Sequence, residues 1–331
     1  MNNKKQILVT GGAGFVGSHL AEHLIKAGHK ITILDALTYA GNLDNLTSII
    51  DSPNLTFIKG NICDTSLVKQ ILEKHHIDII FHLAAESHVD RSIQSPSIFV
   101  QTNILGTQSL LEASLEHYPS QKHFRFIHIS TDEVFGSLNE TDMPFTENSP
   151  YHPNSPYAAS KAAADHLVMS YHHTYGLPMN ISYCTNNYGT RQHREKFIPT
   201  IIHTALSEQP IPIYGNGQQI RDWIHVEDHC RGLLAIMEKG KIGERYGFSG
   251  HNEWHNIDLT HLICDLLDTH KPRSNGKSYK DLISFVEDRK GHDTRYAFDS
   301  KKAKKELGVE PKVRFNQALE QVLLDSYNKF R

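Results

Sequence analysis

The feature that most constrains this chain is its beginning. Residues 6–17 read QILVTGGAGFVG: a short apolar run, three spaced glycines, then an amphipathic stretch. A strand that turns through Gly11, Gly14 and Gly17 into a helix opens a parallel, dinucleotide-binding sheet. In that reading Gly11 permits the tight turn, Gly14 lets the backbone approach a pyrophosphate, and Gly17 lets the helix pack close to the sheet. The helix N-terminus then favours the anionic phosphates. Asp35 ends the next apolar run, about 20 residues beyond the loop. A carboxylate there accepts from ribose hydroxyls and repels a 2′-phosphate, so NAD is expected rather than NADP.

The same rhythm continues through the first half. Gln6–Thr10, Lys30–Asp35, Leu55–Lys59, Ile79–Leu83, Arg125–Ser130 and Met179–Cys184 have the length and β-branched content of strands. Amphipathic stretches such as Phe15–Ala27 and Thr65–Lys74 lie between them. Alternation of this kind predicts an α/β fold with a doubly wound, parallel-sheet Rossmann domain. Ser155-Pro156 reads as the start of a helix running from Tyr157 to about Tyr175, stopped by Gly176 and Pro178. After Asn187 the rhythm changes. Tyr188–Arg221 holds prolines, glycines and few strand-length runs, Ile224–Lys239 reads as a helix, and the chain from His251 is mixed and more charged. The expected division is 1–187 and 222–250 for the Rossmann domain, with 188–221 and 251–331 forming a smaller mixed α/β substrate domain.

Composition narrows the class. The chain has 331 residues, and 34 Lys and Arg against 37 Asp and Glu leave a net charge of −3. There is no basic excess for nucleic acid and no polybasic stretch for a membrane surface. No apolar run approaches the ~18 residues of a membrane span. The first twelve residues reach glycines too soon for a signal peptide. The four cysteines, Cys63, Cys184, Cys230 and Cys264, form no CxxC pair, which fits a reducing, cytoplasmic compartment.

Two further groups carry chemistry. Tyr157 and Lys161 stand four residues apart on one helical face. An ammonium beside a phenol favours the phenolate, which can take a proton from a sugar hydroxyl while hydride leaves the same carbon. Thr131, Asp132 and Glu133 run out of the fifth strand, at the end of the sheet where open α/β folds bind ligands. Adjacent carboxylates divide acid and base roles when their surroundings separate their pKa values.

With these motifs the chain resembles an extended short-chain dehydrogenase/reductase, and more narrowly the dTDP-glucose 4,6-dehydratases. The resemblance runs through TGGAGFVGSH, FHLAAESHVDRSI, STDEVFGSL, SPYAASKAAADH, YCTNNYG and PIYGNGQQIRDWIHVEDHCRG to EDRKGHDTRYAFD. TDE discriminates: GDP-mannose dehydratases and UDP-glucuronate decarboxylases resemble TSE, and related epimerases lack the acid pair. The resemblance implies a redox-neutral dehydration with tightly held NAD. Tyr157 takes the C4-hydroxyl proton as hydride leaves for NAD⁺, and Thr131 hydrogen-bonds that hydroxyl. Glu133 removes the C5 proton, Asp132 protonates the departing C6 hydroxyl, and hydride returns to C6.

The same resemblance implies the remaining contacts. Gly11, Gly14, Phe15, Val16, Asp35 and Thr38 would hold the cofactor's phosphate and ribose, and Asn61 and Ile62 its adenine. Leu83, Ala84, Ala85, Thr102, Cys184 and Asn187 would line the nicotinamide side. Ser87 and Asn186 would meet the sugar or phosphate. Lys196, Phe197, Pro212, Tyr214, Arg221, Asn256, Arg289 and His292 would hold the nucleotide diphosphate; Arg221 suits this because a guanidinium offers paired donors to phosphate oxygens. A homodimer is also implied, with helices near Ile93–Tyr118 and Tyr157–Tyr175 pairing as a four-helix bundle.

The chain departs from the family pattern in places. Gly60-Asn61-Ile62 stands where GDI or GDC is usual, and Tyr246-Gly-Phe248-Ser249 replaces YNIG. Tyr188–Phe197 loses two prolines and gains Arg191, His193 and Arg194, in a loop that borders nucleotide and sugar in the family. That leaves a UDP-linked 4,6-dehydratase, or a C4 epimerase, as alternatives to a dTDP-glucose-like donor. His225 and His229 have i, i+4 spacing, but no third ligand stands out and no metal is expected.

Overall fold

A computed structural model describes residues 4–121 and 123–330. Its strands, in chain order, are β1 Gln6–Thr10, β2 Lys30–Asp35, β3 Leu55–Lys59, β4 Ile79–His82, β5 Arg125–Ile129, β6 Met179–Cys184, β7 Asn186–Tyr188, β8 Ile211–Tyr214, β9 Ile220–His225, β10 Arg245–Phe248, β11 Glu253–His255, β12 Ile283–Val286 and β13 Arg295–Tyr296. Seven of them form one sheet in the order β10-β6-β5-β4-β1-β2-β3. Every neighbouring pair in it is parallel. This is the expected doubly wound sheet, with the reversal of strand order between β1 and β4.

The apolar runs of β1 explain the layering. Leu8 packs into one core, while Ile7 and Val9 pack into the other. A central strand buried on both faces must be apolar at every position, which is why β1 reads as a continuous run rather than an alternation. The helix Phe15–Lys26 covers one face, through Leu20, Ala21 and Leu24.

The helix Pro156–Tyr175 has the ends its sequence specifies. Ser155 Oγ accepts from the Ala158 N–H at 3.1 Å, Pro156 sits in the first turn, and Gly176 follows at φ 70°. The partner stretch is interrupted. Ser95-Pro96 separates Val89–Gln94 from Pro96–Phe99, and a wide π-helical turn over Val100–Leu105 leads into Gly106–His117. Such turns tend to occur at functional sites. Here it presents Asn103, whose amide brackets the Glu86 backbone (2.9 and 3.0 Å) and Ser160 Oγ (2.8 Å).

One helix begins later than its sequence predicts. Ile224 and His225 belong to β9, and the helix is Val226–Lys239. Parallel pairing of Ile224 with Asn187 and of His225 with Tyr188 on β7 outweighs helical periodicity there. The His225 ring caps the helix by accepting from the Glu227 N–H. From Asn186 onward the chain is richer in strands than its composition implies. β11, β9, β13 and β7 make one sheet, and β12 pairs with β8 in another. These strands are short and pair with distant partners, so local periodicity does not reveal them. A third core includes Ile201, Ile213, Trp223, Ile263 and Leu267.

Candidate active site

A cavity of about 330 Å³ opens outside the carboxyl ends of the large sheet. The glycine loop forms one wall. Gly11 has φ +70°, and a Cβ there would lie 2.7 Å from Ala84 N; a Cβ on Gly17 would lie 2.3 Å from Gly11 O. Those two positions are closed to side chains by the protein's own backbone. Gly14 caps the helix with no side-chain acceptor, so the first-turn N–H groups remain available to an anion. Asp35 is buried and braces this loop. Its Oδ2 accepts from Ala13 N–H at 2.9 Å and its Oδ1 from Leu37 N–H at 2.8 Å. Burial raises its pKa against those two bonds, and each oxygen keeps a further lone pair.

The other residues expected around a dinucleotide lie on the same wall: Phe15, Val16, Thr38, Asn61, Ile62, Leu83, Ala84, Ala85, Thr102, Cys184 and Asn187. Burial, with Asp132 nearby, pushes the Cys184 thiol up to about 12, so it stays neutral.

Thr131, Asp132, Glu133, Tyr157 and Lys161 line this cavity too. Thr131 leaves β5 and its Oγ1 accepts from the Glu133 N–H at 3.3 Å. Asp132 is buried, and its Oδ2 has no partner in the protein. Burial pushes its pKa well above the usual range, and the charges of Glu133 and Asp222 push the same way. Burial raises Glu133 as well, but Arg221, Lys196 and Arg289 oppose it. The two acids therefore sit in different fields, the condition for separate roles.

The Tyr157–Lys161 expectation needs correcting. Burial, and then Glu133, hold the Tyr157 phenol well above its ordinary range, with only a hydrogen bond to Thr131 acting downward. Lys161 is not paired with the phenol. Its Nζ donates to Ile129 O at 2.7 Å and lies 3.4 Å from His128 Nε2. One helical turn places both residues on one face, but a buried carbonyl captures the ammonium. Burial brings Lys161 down to about 8 against the pull of Asp165, and raises Asp165 to about 7.

The sugar-nucleotide candidates divide into two groups. Ser87, Asn186 and Lys196 are on the cavity wall, with Lys196 Nζ donating to Ser87 O at 2.6 Å. Phe197, Pro212, Tyr214, Arg221, Asn256, Arg289 and His292 come from the smaller region and lie outside that wall. Arg289 makes a two-pronged pair with Asp90 at 2.6 and 2.9 Å, and Tyr214 Oη donates to the same carboxylate at 3.3 Å. His292 pairs with Asp288 at 2.7 Å. Arg221 donates to Ile220 O (2.8 Å) and Asp293 O (2.9 Å), with its guanidinium 4.2 Å from the centre of the Tyr296 ring. Phe197 stacks on Trp223, Pro212 lies on β8, and Asn256 opens the helix Asn256–His270.

Some wall residues escape sequence reasoning: Gly41, Glu86, Thr185, Gln192 and His229. His229 belongs to the run weighed above only for metal binding. Its Nδ1–H donates to Asn187 Oδ1 at 3.0 Å, its buried Nε2 has no protein partner, and burial lowers its pKa to about 4. Among the described residues, no three His, Cys, Asp or Glu side chains gather as metal ligands.

Comparison with known proteins agrees with this geometry. Residues 8–322 match the family model described as GDP-mannose 4,6 dehydratase. A dTDP-glucose 4,6-dehydratase of Neisseria gonorrhoeae is 50% identical over 324 residues, covering 96% of this chain and 94% of its own. The chain belongs to the dTDP-glucose 4,6-dehydratase family. A second relative of that name, from Xanthomonas campestris pv. campestris (strain B100), is 49% identical and covers 94% of this chain and 90% of its own. Among solved structures, the dTDP-glucose 4,6-dehydratase DesIV of Streptomyces venezuelae, with NAD and TYD bound, superposes with a TM-score of 0.90 at 42% identity, covering 98% of this chain and 97% of its own. Membership in this dehydratase family therefore extends to the smaller region as well as to the large sheet.

Proposed function

We propose that this chain is an NAD-dependent hydro-lyase that converts dTDP-glucose to its 4-keto-6-deoxy product. The observation that carries the reading is the meeting of Asp132, Glu133 and Tyr157 on the wall of the cavity that also holds the glycine loop. The wall fits a dinucleotide: crowded glycines, an uncapped helix N-terminus and the Asp35 carboxylate are the donor and acceptor set its phosphates and ribose require. Bound NAD supplies the hydride acceptor and, later, the donor.

The chain's own groups handle the protons. Tyr157 would take the C4-hydroxyl proton as phenolate, a form that its burial disfavours and that the positive charge of bound NAD⁺ would favour, and Thr131 would orient that hydroxyl. The C4 ketone acidifies C5, and Glu133, whose raised pKa makes it the stronger base while Arg221, Lys196 and Arg289 oppose its protonation, removes the C5 proton. Asp132, whose burial favours the protonated form, donates to the C6 hydroxyl as it leaves. An epimerase has no step that needs this second acid. Lys161, held by Ile129 O, supports the helix face beside Tyr157. The signs set a pH profile: kcat/KM falls toward acid as Glu133 gains a proton, and toward alkali as Asp132 loses its own.

The test is turnover in heavy water with dTDP-glucose, UDP-glucose, CDP-glucose and GDP-mannose, read by mass spectrometry. Loss of one water from dTDP-glucose, with deuterium at C5, is expected. Loss from another donor alone would overturn the substrate assignment, and loss from none would overturn the dehydratase reading.

We also infer a cytoplasmic homodimer. Ile98, Val100 and Leu105 are exposed on the broken helix that packs beside Pro156–Tyr175, as a four-helix interface requires. The four cysteines are free. Analytical ultracentrifugation of Leu105→Glu against the parent chain checks the interface; a variant that sediments as the same dimer would remove this face from it.

A further inference from the structure

The altered loop after Tyr188 adds positive charge, and the structure turns part of that charge away from the sugar side. Arg191 Nη2 lies 3.0 Å from Glu22 Oε1 on the helix Phe15–Lys26. Ser48 also donates to Glu22. Burial pushes Glu22 upward, but the hydrogen bonds from Ser48 and Arg191 outweigh it and hold the carboxylate below its usual range. One turn back on that helix, His19 Nε2 lies 3.1 Å from Thr190 O and Nδ1 3.0 Å from Glu227 Oε1. The other side is anchored by His193, which meets Tyr39 edge to face with ring centres 5.6 Å apart. Tyr39 belongs to the segment that follows Asp35.

Gln192 lies between these two anchorages. Its Nε2 donates to Asn187 O at 2.8 Å. A carbonyl only accepts, so the amide's orientation is set and Oε1 is the atom left over. That oxygen is buried without a protein partner, and Gln192 and His193 both line the cavity. Arg191 has φ 66°, a left-handed conformation that residues other than glycine seldom hold without tertiary restraint. The loop is thus tied down on both sides of the cavity, with a free acceptor facing inward.

We propose that residues 190–193 are a clasp fastened across the dinucleotide end of the cavity, and that the Arg191–Glu22 pair controls how slowly the dinucleotide leaves. The proposal rests on the NAD reading above. Gln192 Oε1 suits a ribose hydroxyl, which can donate to it. Arg191 and Glu22 act through the loop's position and touch no reacting atom, so they are positioning residues.

The test follows release of the fluorescent analogue 1,N6-etheno-NAD, chased by excess NAD in stopped flow. The parent chain is compared with Arg191→Ala, Glu22→Gln, the double variant and Arg191→Lys. Each of the first two is expected to release the analogue roughly tenfold faster, the order of a half-buried charge pair. The double variant is expected to be no faster than either single one, because both remove one contact. Arg191→Lys should fall between. Equal release by every variant overturns the clasp, as does a double variant whose effect is the product of the two singles. Folded parent protein that takes up no analogue overturns the NAD reading together with the clasp, and is told apart by the absence of any signal to chase.

Discussion

The two ends of the site are assembled in different ways. At the dinucleotide end, the wall comes from strand ends and the turns that follow them, and some of its buried polar atoms are left without a protein partner. Gln192 Oε1 and His229 Nε2 are buried there with no protein partner. At the sugar-nucleotide end, the cations come from the smaller region and already have partners: Arg289 with Asp90, Arg221 with two backbone carbonyls, Lys196 with Ser87 O. Preorganised, unpaired groups suit a ligand that stays. Paired cations suit one that arrives, takes over part of a network and departs.

Perturbing each end separately sharpens this comparison. The largest effect is expected where the ends meet. Glu133→Gln should slow C5 exchange in heavy water by about 10²–10⁴-fold, the range for losing a general base, while calorimetry finds both ligands still bound. Undiminished exchange would assign the base elsewhere. Arg221→Ala should weaken dTDP-glucose binding by about 2–5 kcal/mol, since it removes a buried charged donor, and leave NAD affinity unchanged. An equal loss for both ligands would break the separation of the two ends.

Gly17→Ala reverses the pattern. Its Cβ would meet Gly11 O, so NAD affinity and melting temperature should both fall, folding stability dropping by about 1–3 kcal/mol for overpacking, with dTDP binding retained. The smallest effect is the most discriminating. Asp90→Asn releases Arg289 from its carboxylate, and dTDP affinity should rise by about three- to tenfold, as for a partly exposed pair. A fall in calorimetry would mean that Asp90 positions Arg289 for the nucleotide instead of competing with it.

The first half of the chain was legible because its elements obey local rules. β1, β2, β3 and β6 begin and end where their sequences predict, and Ser155 and Gly176 bound their helix as caps should. Glycine spacing and Asp35 likewise carry their own geometry. Three features were not legible. β9 replaces the start of a helix because β7, distant in sequence, pairs with Ile224 and His225. Lys161 turns to Ile129 O, a partner 32 residues away. Arg289 finds Asp90 across 199 residues, a pairing that no periodicity encodes.

The sequence by itself determined the doubly wound sheet, the glycine turn and the identity of the five chemical side chains. Each depends on short-range sterics, strand and helix periods, or residue type. Only the tertiary structure decided the protonation bias of Asp132, Glu133 and Tyr157, the inward turn of Lys161 and the fastening of Arg191 to Glu22. Those depend on burial and on charges brought together from distant segments, because desolvation and Coulomb terms are set by the three-dimensional surroundings of a group and not by its neighbours along the chain.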